Sequence, residues 1–181
     1  MDGVTYATMA CSSKYDNIRY DELDCQAFVE KVAQDCGIRR PNGTVYNWKG
    51  SNDMWRNAML WKGTVEECIL RFGEIPLGSW VFIVKNDGGE KARGYNDGEG
   101  NASHVGIFVS QTDKEHAVRD STKTKTRDGV GYRKLDGFNM VGLPYIITYF
   151  PDDNISNVTN KISKDDALKA LETLTKFIKE C

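Results

Sequence analysis

From Ile75 to Phe150 the chain carries one strand-type segment after another, and a helix-type segment stands well ahead of them. The early segment, "ELDCQAFVEKVAQDCGI", repeats apolar residues at helical spacing: Ala27, Phe28, Val32, Ala33 and Cys36 recur at intervals of three and four. Gly37 then stands where a helix ends on a left-handed residue. "IPLGSWVFIVKND" reads as a turn followed by a strand. "HVGIFVSQ", "HAVRDST" and "GVGYRKL" read as three more strands, and "GLPYIITYF" as the one that closes the sheet. A helix followed by a run of strands predicts an α+β fold with an antiparallel sheet. Between them, "TVEECILRFG" reads as a short helix, with Thr64 as its N-cap and Gly73 past its end. The stretch from Arg39 to Lys62 is mixed, with Pro and Gly turns early. "GGEKARGYNDGEGNAS" reads as a Gly-rich polar loop.

A length of 181 residues predicts one domain with room for a small appendage. Residues 1–150 hold the pattern just described. Residues 151–162 read as a polar linker without apolar periodicity, and 163–181 as an amphipathic helix. Ser163 can cap that helix, and Ala167, Leu171, Leu174 and Ile178 form its stripe. The expectation is that it packs on the main domain, because two heptads are marginal alone. The formal net charge is −2, so no global field draws the chain to nucleic acid or an anionic membrane. No apolar run approaches the length of a membrane span. The first residues carry neither a basic nor an apolar signal region, so a Sec signal peptide is not expected.

The chemistry turns on five cysteines, Cys11, Cys25, Cys36, Cys68 and Cys181. Their number is odd and no CxxC pair occurs, which argues against a paired-thiolate zinc site and against a disulfide scaffold. Cys36 and Cys68 fall on apolar helix faces and read as core. Cys25 falls at the start of the first helix, where free N–H groups and the helix dipole stabilise a thiolate and can also receive an oxyanion. The negative charge of Asp24 opposes this, so a base partner is required. Two histidines exist. His104 opens the "HVGIFVSQ" strand beside the Gly-rich loop, where a side chain can face a cleft. His116 follows "TDKE", a turn, and reads as exposed. A Cys–His pair also needs a group to orient the imidazole through its other nitrogen. Asp120, one strand after His104, suits an antiparallel neighbour, and His116 is the alternative.

Three pieces of the chain, in order, resemble the NlpC-type cell-wall cysteine peptidases, relatives of the CHAP amidases, and phage and prophage members most of all. They are "DCQAFV" at 24–29, "PLGSWVF" at 76–82 and "HVGIFV" at 104–109. Together they span about Tyr20 to Tyr149. The resemblance implies a papain-like fold, with the nucleophile helix packed on a central antiparallel sheet. It implies Cys25 as nucleophile, His104 as base and Tyr20, in "YDELDC", as the hydroxyl that assists the oxyanion hole, with Tyr15 as the fallback. Asp120 departs from the family's usual histidine, which leaves the third role open. Gln26 and Ala27 replace the usual Ser-Gly pair at the pocket wall. The function implied is hydrolysis of an amide bond in peptidoglycan stem peptides, as endopeptidase or N-acetylmuramoyl-L-alanine amidase, without metal or organic cofactor. Action at the cell wall would then follow phage lysis or non-Sec export from the cytoplasm. Two alternatives remain open: a papain-like enzyme acting on a non-wall amide, and a non-catalytic wall-binding or phage structural protein.

Other features carry blander expectations. Trp48, Trp55, Trp61 and Trp80 read as packing residues rather than sugar platforms. "KTKTR" (123–127) reads as a solvated hairpin tip rather than a nucleic-acid patch. "NDGEGN" (96–101) lacks the ligand spacing of a calcium loop. "WKGSNDMWRN" (48–57) is expected to rim the cleft.

Overall fold

The computed structural model describes residues 1–149, so the linker expected over 151–162 and the helix expected over 163–181 lie outside the described residues. The described part is α+β: four helices and a six-stranded, wholly antiparallel sheet. The helices are α1 (Gly3–Ala10), α2 (Cys25–Asp35), α3 (Ser51–Asn57) and α4 (Val65–Phe72). The strands are β1 (Met59–Thr64), β2 (Trp80–Lys85), β3 (Asn101–Phe108), β4 (Val118–Lys123), β5 (Asp128–Arg133) and β6 (Met140–Pro144). Their order across the sheet is β1-β6-β2-β3-β4-β5. The segment expected to close the sheet therefore does not lie at its margin. β6 pairs with β2 on one side and β1 on the other.

Helix α2 starts because Asp24 caps it, with Oδ1 accepting the Ala27 N–H at 2.8 Å. It stops because Gly37 takes φ +75°, a left-handed conformation that costs glycine little. Its apolar stripe, Phe28, Val29, Val32 and Ala33, is fully buried among Trp80, Phe82, Val105 and Ile107 of the sheet. Burying each of the larger side chains stabilises the fold by about 1.5–3 kcal/mol. Tyr6 of α1 joins the same core, donating from its hydroxyl to the Val29 carbonyl and accepting from Trp80 Nε1. A second core forms from Cys68 of α4 with Val81, Phe108, Val118, Phe138 and Val141. Helix α4 carries the expected Thr64 cap as a full capping box with Glu67, and Gly73 closes it in the left-handed region. Trp48, Trp55 and Trp80 are buried in the first core, as packing residues.

Three features of the sheet position the site. First, β3 begins at Asn101, three residues earlier than expected, so His104 lies inside the strand and does not open it. The β2–β3 register slips there: Ile83 faces His104, but Val84 faces Ala102, leaving Ser103 as the extra residue of a bulge. Bulges re-aim neighbouring side chains. Second, β3 and β4 pair only at Ile107–Arg119 and Phe108–Val118. Beyond these pairs the Ser121 hydroxyl donates to the Leu23 carbonyl, tying β4 to the residues just before α2. Third, the loop leading into α2 is stitched to β5. Val130 N–H donates to the Ile18 carbonyl at 3.1 Å, Tyr20 N–H to Asp128 Oδ1 at 3.3 Å, and Arg19 pairs with Asp128 at 3.1 Å.

Gly129 makes that stitching possible. Its φ is +124°, and a Cβ there would press into the carbonyl of Ile18. Gly129→Ala is expected to destabilise the protein by roughly 2–3 kcal/mol, through strain and a backbone clash. Urea unfolding of the variant beside the parent would measure this, and a change under 0.5 kcal/mol would contradict it.

Candidate active site

Cys25 is the first residue of α2 and is nearly buried. Of the first-turn N–H groups, that of Ala27 is taken by the Asp24 side chain and that of Phe28 by the Asp24 carbonyl. Those of Cys25 and Gln26 find no acceptor among the described residues, so they remain available as donors beside the thiol. The His104 ring lies close enough to that thiol for the two to interact electrostatically. Its Nε2 lies 2.6 Å from Asp120 Oδ2, which leaves Nδ1 for Cys25. Cys25, His104 and Asp120, the three residues expected as nucleophile, base and orienting group, thus come together from α2, β3 and β4. Of the two candidates for the third position, the structure brings Asp120 to His104. His116 lies on the exposed turn before β4, paired with Asp113 at 2.9 Å.

Gly106 is what lets the carboxylate approach. Its position, two residues from His104 on β3, puts it on the same face as His104. A Cβ there would stand 2.6 Å from Val118 Cγ1 and 3.1 Å from the Asp120 Cβ. The glycine in "HVGIFV" therefore has a steric reason.

Asp120 has no solvent exposure at all and is ionised. Burial pushes its carboxyl upward, but the hydrogen bond from His104 and the charge of Arg127 outweigh this and hold it below the usual carboxylate range. Arg127 Nη2 donates to Oδ1, and Arg133 Nη1 lies 3.4 Å from Oδ2. Burial also disfavours the charged form of His104. The Asp120 hydrogen bond and the Cys25 thiol outweigh it and raise the imidazole to about 9. The ring of His104 stacks on Phe138, with centroids 5.8 Å apart and planes 29° from parallel.

Tyr20 is half-buried, and its phenol is pushed up by burial and by the nearby charges of Cys25 and Asp24. It keeps its proton at neutral pH. Tyr15, the fallback for that role, is instead buried against Phe28 and donates to Asp35 Oδ2 at 2.8 Å. Gln26 turns away from the thiol. Its Nε2 donates to Glu30 Oε1 at 2.8 Å and to the Trp48 carbonyl, while Glu30 Oε1 accepts the Trp48 N–H at 2.6 Å. Gln26 and Glu30 thus anchor the backbone of Trp48 to α2. Helix α3 follows and is bound to β3, with Ser51 donating to the Ala102 carbonyl and Asn52 to Asn101 Oδ1 at 2.8 Å.

Sequence reasoning missed Arg127, Arg133, Phe138 and Glu30. Arg127 sits in the "KTKTR" tip expected to be solvated, yet it folds inward to the buried carboxylate. The one available signal was Gly131 in "GVGYR", since a glycine inside a strand marks a close approach. No group of three or more His, Cys, Asp or Glu among the described residues could hold a metal ion. No described helix is long and apolar enough to cross a membrane. A cavity of about 470 Å³ lined by Ile69, Ile75, Phe108 and Leu135 contains none of the groups named above.

No family model matches the chain, and no curated protein or solved structure matches it either.

The raised imidazole has a direct consequence. His104 holds its second proton below about pH 9 and releases it above. Removing the carboxylate in Asp120→Asn removes the main attraction for that proton, so the midpoint falls by about one unit or more. Proton NMR of the two imidazole Cε1–H signals measures it. An unchanged midpoint in the folded variant would show that Asp120 does not act on His104.

Proposed function

We propose that this chain is a papain-like cysteine hydrolase of the NlpC type that cleaves an amide bond in peptidoglycan stem peptides. The single observation that carries the chemistry is the arrangement of Cys25, His104 and Asp120: a thiol at a helix N-terminus, beside an imidazole whose Nε2 is held by a buried carboxylate. The substrate class rests on the resemblance of the ordered motifs at 24–29, 76–82 and 104–109, and so does the papain-like assignment.

The reactive form of the site pairs the imidazolium of His104 with the thiolate of Cys25. The thiolate attacks the amide carbonyl carbon, and the C=O electrons move onto oxygen. The N–H of Cys25 and the hydroxyl of Tyr20 receive that oxyanion. As the intermediate collapses, the C–N bond breaks and His104 passes its proton to the departing amine, leaving a thioester. Neutral His104 then takes a proton from a water molecule as its oxygen attacks the thioester. Collapse releases the acid and restores the ion pair.

A non-catalytic wall-binding role would draw on the Gln26-Ala27 pair and on the Asp at the third position. Neither bears against catalysis in this geometry. Gln26 points to Glu30 and Trp48, away from the thiol, and Asp120 reaches His104 at ordinary hydrogen-bond distance.

Cys25→Ala is expected to abolish release of new amino termini from purified peptidoglycan, and Tyr20→Phe to lower kcat by about 100-fold with little change in KM. The rate for the parent falls as pH rises through about 9, because the imidazolium that protonates the leaving amine is then lost. Cleavage by Cys25→Ala would overturn the mechanism. Cleavage of unrelated peptide amides but not of muropeptides would retain the mechanism and overturn the substrate.

A further inference from the structure

Asp120 is held by more than the histidine it orients. Arg127 comes from the turn between β4 and β5 and folds back along β5, with Nη1 donating to the Tyr132 carbonyl at 3.0 Å and Nη2 to Asp120 Oδ1. It crosses the sheet over Gly131, the residue directly paired with Asp120. A Cβ on Gly131 would come within 2.7 Å of both Cδ and Nη1 of Arg127. Arg133 approaches the other oxygen at 3.4 Å, and its guanidinium lies over the Phe138 ring at 4.9 Å, the ring on which His104 stacks. Asp120 is thus a single negative charge, out of solvent, facing one imidazole and two guanidinium groups. Cys25 faces the imidazole from α2, with Asp24 and Tyr20 beyond it.

We propose that Arg127 is a positioning residue for the proposed acyl transfer: it clamps Asp120 with one oxygen turned to His104 and offsets part of that carboxylate's charge, so that His104 stays protonated against Cys25 yet can still surrender the proton to a leaving amine. The role rests on the reading of His104 as that proton donor. A buried carboxylate facing histidine alone would hold the imidazolium too firmly, and a general acid works best when its proton affinity lies near the working pH. Arg127 suits the task because its fork holds one oxygen rigidly while its charge is never lost. Gly131 serves by leaving the path open.

The test is the His104 NMR titration, which needs no substrate. Arg127→Gln keeps a hydrogen-bond donor and removes the charge, so the His104 midpoint rises by about one unit. Arg127→Lys restores the charge and brings the midpoint back toward that of the parent. Gly131→Ala displaces the guanidinium without touching its chemistry and also moves the midpoint upward. A folded Arg127→Gln protein with the parent midpoint, or a lower one, overturns the proposal. Failure of both Arg127→Gln and Gly131→Ala to fold overturns it as well, since Arg127 would then be a structural residue only. Because the titration reads His104 directly, a protein that cleaves no peptidoglycan can still show these shifts, and an active peptidoglycan hydrolase can lack them. The two readings therefore fail separately.

Discussion

A carboxylate with no exposure to water dominates this structure. Leaving Asp120 uncompensated would cost several kcal/mol, because a lone charge in a low-dielectric interior loses its hydration and gains nothing in return. Every element around it answers that cost. β3 supplies the imidazole and, through Gly106, the space; the β4–β5 turn supplies Arg127; the end of β5 supplies Arg133. The bulge at Ser103 and the short β3–β4 ladder are the backbone adjustments that let these groups converge. Such a network is weak evidence for stability, since an apolar cluster of the same shape would do as well. It is better evidence for a constraint on His104.

That constraint reaches Cys25 through two separate routes. One is electrostatic: Asp120 keeps the imidazole protonated to about pH 9, so the group facing the thiol is a cation. The other is mechanical. The N-terminus of α2 is tied to β4 through Ser121 and Leu23, and the loop before it is tied to β5 through Ile18, Arg19 and Tyr20. The strands that hold the carboxylate and its arginines therefore also hold the thiol and the tyrosine. The start of α2 and the loop before it cannot drift from β4 and β5 without breaking these hydrogen bonds. An assembly whose geometry must be held within about 0.5 Å is built this way, on rigid elements with interlocked support.

What could be read from the residues alone followed from local rules. α2 and α4 were legible because cap, stripe and terminal glycine all stand in sequence order. The strands β2 to β5 were legible because β-branched and aromatic residues alternate between turn residues. Cys25 was legible as a site candidate because it stands at the start of a helix; His104 was singled out as a strand opener, although it lies three residues inside β3. α1, α3 and β1 were not. Their sequences, "GVTYATMA", "SNDMWRN" and "MLWKGT", are short and weakly periodic, and tertiary contacts decide their state: Tyr6 against Val29 and Trp80, Asn52 against Asn101, Trp61 opposite Leu143. The position of β6 was also hidden, since strand order depends on pairing across the chain rather than on any segment's own pattern.

The arginines were hidden for a different reason. Arg127 stands in a run of lysines and threonines whose composition is that of a solvated turn, and the four residues before it, Lys123 to Thr126, are all exposed as that composition requires. Only the register exposes the exception. Asp120 and Gly131 face each other across the ladder, and the long side chain of Arg127, from the turn after Lys123, reaches back along β5 to Gly131, next to a buried charge. A charged side chain in such a place must find its counter-ion or force the carboxylate to neutralise. The carboxylate of Asp120 is therefore the link between a surface turn and the proton on His104, and the glycine opposite it is as much a part of the site as the cysteine.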